Sequence, residues 1–468
     1  MTGIEPDAAV SRRPVLHPSR ARASRGPFVL HQWRCGKIGH APDPGRTRVL
    51  NAIPVGSIAG PSNEESPITT TRHHIAKALP ETPRPCAGPF GSIALLLQGG
   101  GALGSYQAGV YQKLHEIDVE PTWVAGISIG AINCALIAGN REEDRVPKLR
   151  EFWEMVSDAG DYGLTDFWSG LAQGEEARGQ ANQYSAARVM ANGVPGFFRP
   201  RLPWPSLNPG RNHAPSHYDT SELKGTLERL VDFDRINAKA TRFAVGAVNV
   251  RTGNFAYFDN AIDTIRAEHI MASGALPPGF PAIEIDGEYY WDGALVSNTP
   301  LDWVLSARSR LDTLVLQVDL WSARGALPRD LSEVAIREKE IQFSSRTRAA
   351  SDEFRRVQGL RAALNTLLTK MPHKLAATPE ARKLAKVSDS ALYNIVQLIY
   401  RSATYEGQSK DFEFSRRSMD DHWRAGYEDA TATMAHKEVM TLPTRTHGVA
   451  VYDFLTPPLP GKPARHRK

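Results

Sequence analysis

From residue 92 onward the sequence repeats one unit: a short apolar run, a glycine-rich turn, then a helical pattern. The runs at 93–97, 123–125, 243–248 and 314–320 are too short for buried helices and lack the alternation of a strand with one wet face. Strands of that kind, alternating with helices, need cover on both faces, which points to an α/β fold with a largely parallel sheet. RTGN at 251–254 reads as a hairpin turn between two strands. DTSELKGTLERLV at 219–231 reads as a helix with Asp219 as N-cap and Glu222 three residues on.

Two of the turns carry candidate chemistry. In ALLLQGGGALGSYQAG, residues 94–109, Gly99, Gly101 and Gly104 fit G-x-G-x-x-G between a strand and a helix, the setting of a dinucleotide fingerprint. That fingerprint also needs an acid at the end of the next strand, about twenty residues on, to hold ribose hydroxyls. Here the strand ends Ala125-Gly126-Ile127-Ser128, and Asp118 and Glu120 precede it. The pattern therefore argues against a nucleotide cofactor, and the glycine amides suit an oxyanion better. The second turn, Gly126-Ile127-Ser128-Ile129-Gly130, is G-x-S-x-G leading straight into a small-residue helix. A sharp turn there lifts a serine Oγ clear of the backbone, and flanking glycines remove side chains that would strike the neighbouring strand and helix. A helix N-terminus also favours developing negative charge. In consecutive strands both turns fall at one edge of the sheet; two packing turns without chemistry is the alternative.

A nucleophilic serine needs a base. EYYWDGALVSNTPL offers Asp292, followed by Gly293 and Ala294 and, further on, Asn298 and Pro300. Alone, Asp-Gly is a turn signal. Taken in order, the Gly99–Gly104 loop, the Gly126–Gly130 elbow and the Asp292-Gly293-Ala294 motif resemble the patatin-like phospholipase family. ASGALPPGFPAIEIDGEYYWDGA, ending at Ala294, is similar to the segment that precedes the family's catalytic aspartate. The resemblance spans about 92–320, and IVQLIYRSATYEGQSKDFEFSRRSM resembles a region behind some bacterial patatin domains.

The resemblance implies a three-layer sandwich around a mostly parallel sheet, with a helical C-terminal region. It also implies a Ser-Asp dyad, Ser128 as nucleophile and Asp292 as proton acceptor, with Gly99, Gly100, Gly101 and Gly104 as the oxyanion loop and Gly126 and Gly130 as the elbow. The activity implied is that of a phospholipase A or lysophospholipase acting through an acyl-enzyme on lipid or other acyl esters, without metal or cofactor. One departure is Leu103, where many patatins carry Arg or Lys, which leaves substrate preference open. Two further readings stay open. One is a Ser-Asp-His triad using His373, His422, His436 or His447, His115 being placed on the first helix. The other is a non-catalytic relative that binds lipid or a partner.

Outside that core, residues 1–90 are rich in Pro, Arg, Ser and His and read as a disordered extension, with a transit peptide as the lesser reading. The catalytic part is expected over 91–328, a charged helical region over 329–440 and a tail over 441–468. VPGFFRPRLPWPSLNPG, 194–210, sets Phe197, Phe198 and Trp204 beside Arg199 and Arg201; it reads either as a lipid-facing lip or as a loop packed by its aromatics. Cys35, Cys86 and Cys134 have no metal or disulfide spacing. With no apolar run of membrane-spanning length and no Sec signal, the expectation is a cytoplasmic protein with peripheral membrane contact. A formal net charge of +5 is too mild to imply a nucleic-acid partner, and none is expected.

Overall fold

Every residue of β1 (Ser92–Leu97) is buried, and its side chains divide by parity. Ile93, Leu95 and Leu97 join one core cluster, Ala94 and Leu96 another. Successive strand residues point to opposite faces, so this strand is covered on both sides. The computed structural model describes residues 88–157, 175–201, 215–306, 311–344, 347–402, 406–445 and 448–456. The remaining strands are β2 (Trp123–Gly126), β3 (Arg199–Pro200), β4 (Tyr218–Asp219), β5 (Arg242–Asn249), β6 (Phe255–Asp259), β7 (Ile283–Ile285), β8 (Glu288–Asp292), β9 (Thr313–Asp319), β10 (Tyr393–Ile399) and β11 (Val449–Tyr452). Nine of them form one sheet in the order β11-β10-β9-β1-β2-β5-β8-β7, with β6 also on β5, while β3 and β4 form a small ribbon. The pairs from β11 through β5 are parallel; β6, β7 and β8 are antiparallel to their neighbours. The RTGN turn joins β5 to β6, with Gly253 at φ +68°, a conformation that favours glycine.

One helix layer holds α1 (Ser105–Glu116), α2 (Ile129–Ala138), α3 (Glu142–Ser157) and the Arg416–Met434 helix, all packed in the cluster of Leu95. The opposite layer contributes Leu301, Val304 and Leu305 from the Leu301–Ser306 helix and Phe354 from the Thr347–Thr369 helix. The α/β fold read from the strand pattern, and the three-layer sandwich that the resemblance implies, are present. Each fully buried Leu, Ile, Val or Phe contributes about 1.5–3 kcal/mol, so these two interfaces supply the main stabilisation.

Three expectations need amendment. The region after 328 is helix-rich but also adds β10 and β11 to the central sheet. YNIVQLI is buried at nearly every position, a seven-residue fully covered strand that lies between strongly charged helices. β11 likewise falls inside the expected tail. The region docks closely: a Cβ on Gly109 of α1 would lie 1.9 Å from the Trp423 carbonyl oxygen, and one on Gly426 2.0 Å from that of Tyr106. The helix expected from Asp219 runs Ser221–Leu230. Asp219 instead ends β4 and accepts the Ser221 N–H, a local turn bond that competes with capping. Phe197 and Phe198 are buried, which favours the packed-loop reading of that segment; Trp204 lies outside the described residues. So do the first 87 residues, Cys35, Cys86 and His447. Among the described residues no helix is long and apolar enough to cross a membrane.

Candidate active site

The register on β5 explains how residues 128 and 292 meet. β6 takes one edge of β5 from Ala244 to Val248, so β2 and β8 share the other. β2 ends with Gly126 beside Val245, and β8 ends with Asp292 beside Ala247. Had β2 continued, residue 128 would have occupied the place beside Ala247. Asp292 holds it instead, and the chain after Gly126 turns out of the sheet directly against it.

That turn is strained. Ser128 has φ 55° and ψ −124°, outside the regions open to ordinary side chains, at a cost of about 1–3 kcal/mol. A Cβ on Gly126 would sit 2.3 Å from the Gly130 carbonyl oxygen, and one on Gly130 2.2 Å from that of Leu97. The two elbow glycines are therefore steric necessities. Ser273, unremarked in the sequence, holds the turn. Its Oγ accepts the Ser128 N–H at 3.0 Å and donates to the Gly246 carbonyl at 2.7 Å, and its carbonyl also accepts the Ser128 N–H at 3.1 Å. The Ser128 side chain faces the Asp292 carboxylate across the cavity, and that carboxylate accepts the Ala294 N–H at 2.8 Å. Asp292 is 1% exposed. Burial pushes its carboxyl up from 3.8 to about 7, against the smaller lowering effects of Ala294 and Ser128.

The glycine loop divides by function. Gly99 donates its N–H to Asn298 Oδ1 at 3.1 Å, while its carbonyl accepts from Asn298 Nδ2 at 3.1 Å and Trp321 Nε1 at 3.0 Å. Its amide is thus engaged, which corrects its place among the expected oxyanion donors. Gly104 does not line the cavity; its Cβ position is filled by Ile129 at 2.5 Å and Trp153 at 2.8 Å, so it serves packing. Gly100 and Gly101 line the cavity, and among the described residues their amides have no hydrogen-bond acceptor. The Ile129 amide, at the head of α2, is in the same state. Sequence reasoning missed Ile129, although it immediately follows the elbow serine. It also assigned nothing to Asn298, which pins the loop from both sides and donates to the Phe343 carbonyl at 2.8 Å.

Ser128, Asp292 and these amides open into a cavity of about 710 Å³ including its mouth. Ile132, Phe197, Phe198, Leu223, Leu276, Phe280 and Trp321 supply apolar wall; Phe343, Phe412 and Phe414 from the C-terminal region add to it, with Asp411 among them. Rings interlock at one side, Phe198 lying 5.1 Å from Phe280 and Phe197 6.1 Å from Phe414 between centroids. None of His115, His373, His422 and His436 lines it. His422 is buried elsewhere, its Nε2 3.6 Å from Glu406 Oε2.

Comparison with known proteins finds patatin phospholipase models in two parts of the chain. A model described as patatin-like phospholipase matches residues 95–305, and a second, described as patatin phospholipase, matches 341–446. Among curated proteins, triacylglycerol lipase ptl3 of Schizosaccharomyces pombe is 44% identical over 63 residues, 13% of this chain and 13% of that protein. Triacylglycerol lipase SDP1L of Arabidopsis thaliana is 40% identical over 65 residues, 14% of this chain and 8% of that protein. The matched stretch thus spans a small fraction of either relative. Among solved structures, VipD from Legionella pneumophila aligns over 79% of this chain and 72% of its own, at 16% identity and a TM-score of 0.33. Human GIVD cytosolic phospholipase A2 aligns over 75% of this chain and 59% of its own, at 11% identity and a TM-score of 0.35. With both halves of the site covered by patatin models, from the glycine loop to the C-terminal walls of the cavity, the chain belongs to the patatin-like phospholipase family.

Proposed function

We propose that this chain is a serine hydrolase of carboxylic esters of lipids, working through a Ser128–Asp292 dyad and an acyl-enzyme. The observation that carries the reading is the juxtaposition of Ser128, on a strained backbone turn at the head of α2, with the buried Asp292 carboxylate at the end of β8, both lining one largely apolar cavity. Family membership and the lipase and phospholipase names of the similar proteins support a lipid ester as substrate.

In this mechanism Ser128 Oγ attacks the ester carbonyl carbon and its proton passes to Asp292. The Gly100, Gly101 and Ile129 amides donate to the oxyanion as it forms, each worth about 3 kcal/mol in a site closed to water. Asp292 returns the proton to the departing alcohol. A water molecule then attacks the acyl-enzyme, giving its proton to Asp292, and the free acid leaves as Ser128 is reprotonated. A carboxylate at its ordinary value would be a poor base for this work. Raised by burial to about 7, Asp292 is close to imidazole in basicity and suited to transfer near neutral pH.

Hydrolysis of a short-chain nitrophenyl ester by wild type, Ser128→Ala and Asp292→Asn tests the reading, with folding followed by circular dichroism. Both folded variants should lose roughly 10⁴-fold or more in kcat. Equal rates in all three would refute the dyad. Loss of activity in a folded His422→Ala or His436→Ala variant would favour a triad.

A further inference from the structure

A short 3-10 turn of the C-terminal region, Lys410–Phe412, lies directly on the glycine loop. A Cβ on Gly101 would stand 2.3 Å from the Asp411 carbonyl oxygen, an approach open only to glycine, and Gly101 has φ +56°, which favours glycine as well. On the other side of Gly100, the Gly99 carbonyl accepts from Trp321 Nε1 at 3.0 Å. Gly100 is thus held between a contact from the C-terminal region and one from the segment after β9.

Ion pairs fix where that turn sits. Lys339 and Glu340 are neighbours on the Leu331–Phe343 helix, Lys410 and Asp411 are neighbours on the turn, and the four pair crosswise. Lys339 Nζ lies 2.5 Å from Asp411 Oδ1 and 3.3 Å from the Gln408 carbonyl. Lys410, only 3% exposed, places Nζ 3.0 Å from Glu340 Oε1 and 2.8 Å from Ser402 Oγ. A single pair would let the turn pivot, whereas the crossed pairs fix its register: a slip of one residue would bring Lys410 to Lys339, like charge against like in a buried place. Both ammonium groups also stand over the Trp321 ring, Lys339 at 5.8 Å and Lys410 at 5.0 Å from a ring centroid, so the same cations steady the side chain that holds Gly99. The helix that carries Lys339 and Glu340 ends at Phe343, whose carbonyl accepts from Asn298, the other side chain that grips Gly99.

Resting on the hydrolase reading above, we propose that the crossed quartet of Lys339, Glu340, Lys410 and Asp411 positions the oxyanion loop, which makes the C-terminal region part of the catalytic apparatus. These are positioning residues: they act through the Asp411 backbone on Gly101 and through Trp321 on Gly99, and so set the Gly100 and Gly101 amides relative to Ser128. Oxyanion donors are effective when they are fixed before charge develops. A loosened quartet therefore costs rate more than ground-state binding, because most of the apolar wall comes from other elements.

The test uses the full chain and a nitrophenyl ester, with the Ki of a trifluoromethyl ketone bearing the same acyl chain as the second readout. Ser128 Oγ bonds to the carbonyl carbon of that ketone, its proton passes to Asp292, and the ketone oxygen becomes an oxyanion in the loop. Lys410→Met removes the charge and leaves Glu340 with Arg337 Nη1 at 3.0 Å as a partner. It should lower kcat by about tenfold and raise the Ki by a similar factor, with KM within about threefold of wild type. Should Lys410→Met not fold by circular dichroism, Glu340→Gln, which loses the charge at unchanged size, decides by the same three measurements. A folded variant with wild-type kcat and Ki overturns the inference. So does a rise in KM alone, or a fall in kcat at unchanged Ki, since the loss then lies outside the oxyanion loop. In each of those cases the hydrolase reading stands as long as wild-type turnover depends on Ser128; a wild type that cleaves no ester overturns both.

Discussion

Replacing Asp292 by Asn should abolish turnover and stabilise the protein, and the two effects have one cause. The carboxyl is held at about 7 in the folded chain, chiefly by burial, against 3.8 when unfolded. Below pH 3.8 both states carry the proton and the group contributes no pH dependence. Between 3.8 and about 7 the unfolded chain loses its proton while the folded one keeps it, so the wild type loses stability as pH rises. Above 7 the penalty is constant at about 3 units, or about 4 kcal/mol at 1.36 kcal/mol per unit. A neutral amide of the same shape carries no such penalty. Its Oδ1 can still accept the Ala294 N–H, but its NH₂ replaces a carboxylate oxygen facing Ser128, which returns part of the gain. A net gain of about 2–4 kcal/mol above pH 8 corresponds to a rise in Tm of roughly 2–5 °C for a chain of this size. Thermal melts of wild type and variant from pH 4 to 9 are the assay, and the difference should grow as pH rises through 7. A variant less stable than wild type at pH 8, or a difference independent of pH, would refute the argument that burial of charge dominates at Asp292.

Two further outcomes follow from the same geometry. The kcat/KM for a neutral ester should rise with pH through an apparent pKa near 7 and stay level above it, since Asp292 accepts a proton only when ionised; a rise centred near 4 would show an ordinary, solvated carboxylate. Asn298→Ala removes the clamp on Gly99 and should lower kcat by about 10–100-fold with KM within about threefold, together with about 1–3 kcal/mol of stability from the unpaired Gly99 groups. Steady-state kinetics and thermal melts check both parts, and loss of stability at unchanged kcat would make Asn298 structural only.

The strands β1, β2, β5 and β9 and their helices were legible because a parallel sheet buries both faces, and burial writes itself as short apolar runs ended by glycine. The elbow was legible because two backbone approaches of 2.3 and 2.2 Å exclude any side chain at Gly126 and Gly130. YNIVQLI was read as part of a helical region because a seven-residue apolar run has no periodicity that separates strand from helix. What identifies it as β10 is its pairing with β9, about eighty residues earlier in the chain. Likewise GGGALG announced a loop rich in amides, but not which of them would be free. That depended on Asn298, 199 residues away, taking the Gly99 N–H.

Residue types and local spacing determined the α/β class and the strained serine turn, because each follows from backbone sterics within a few residues, while Asp292 was singled out by the family resemblance. Tertiary structure alone decided that β8 ends where β2 leaves off on β5, that Asp292 is buried beside Ser128, and that the last third of the chain walls part of the cavity. Register, desolvation and cavity shape depend on segments brought together from distant parts of the chain, and no local pattern encodes them.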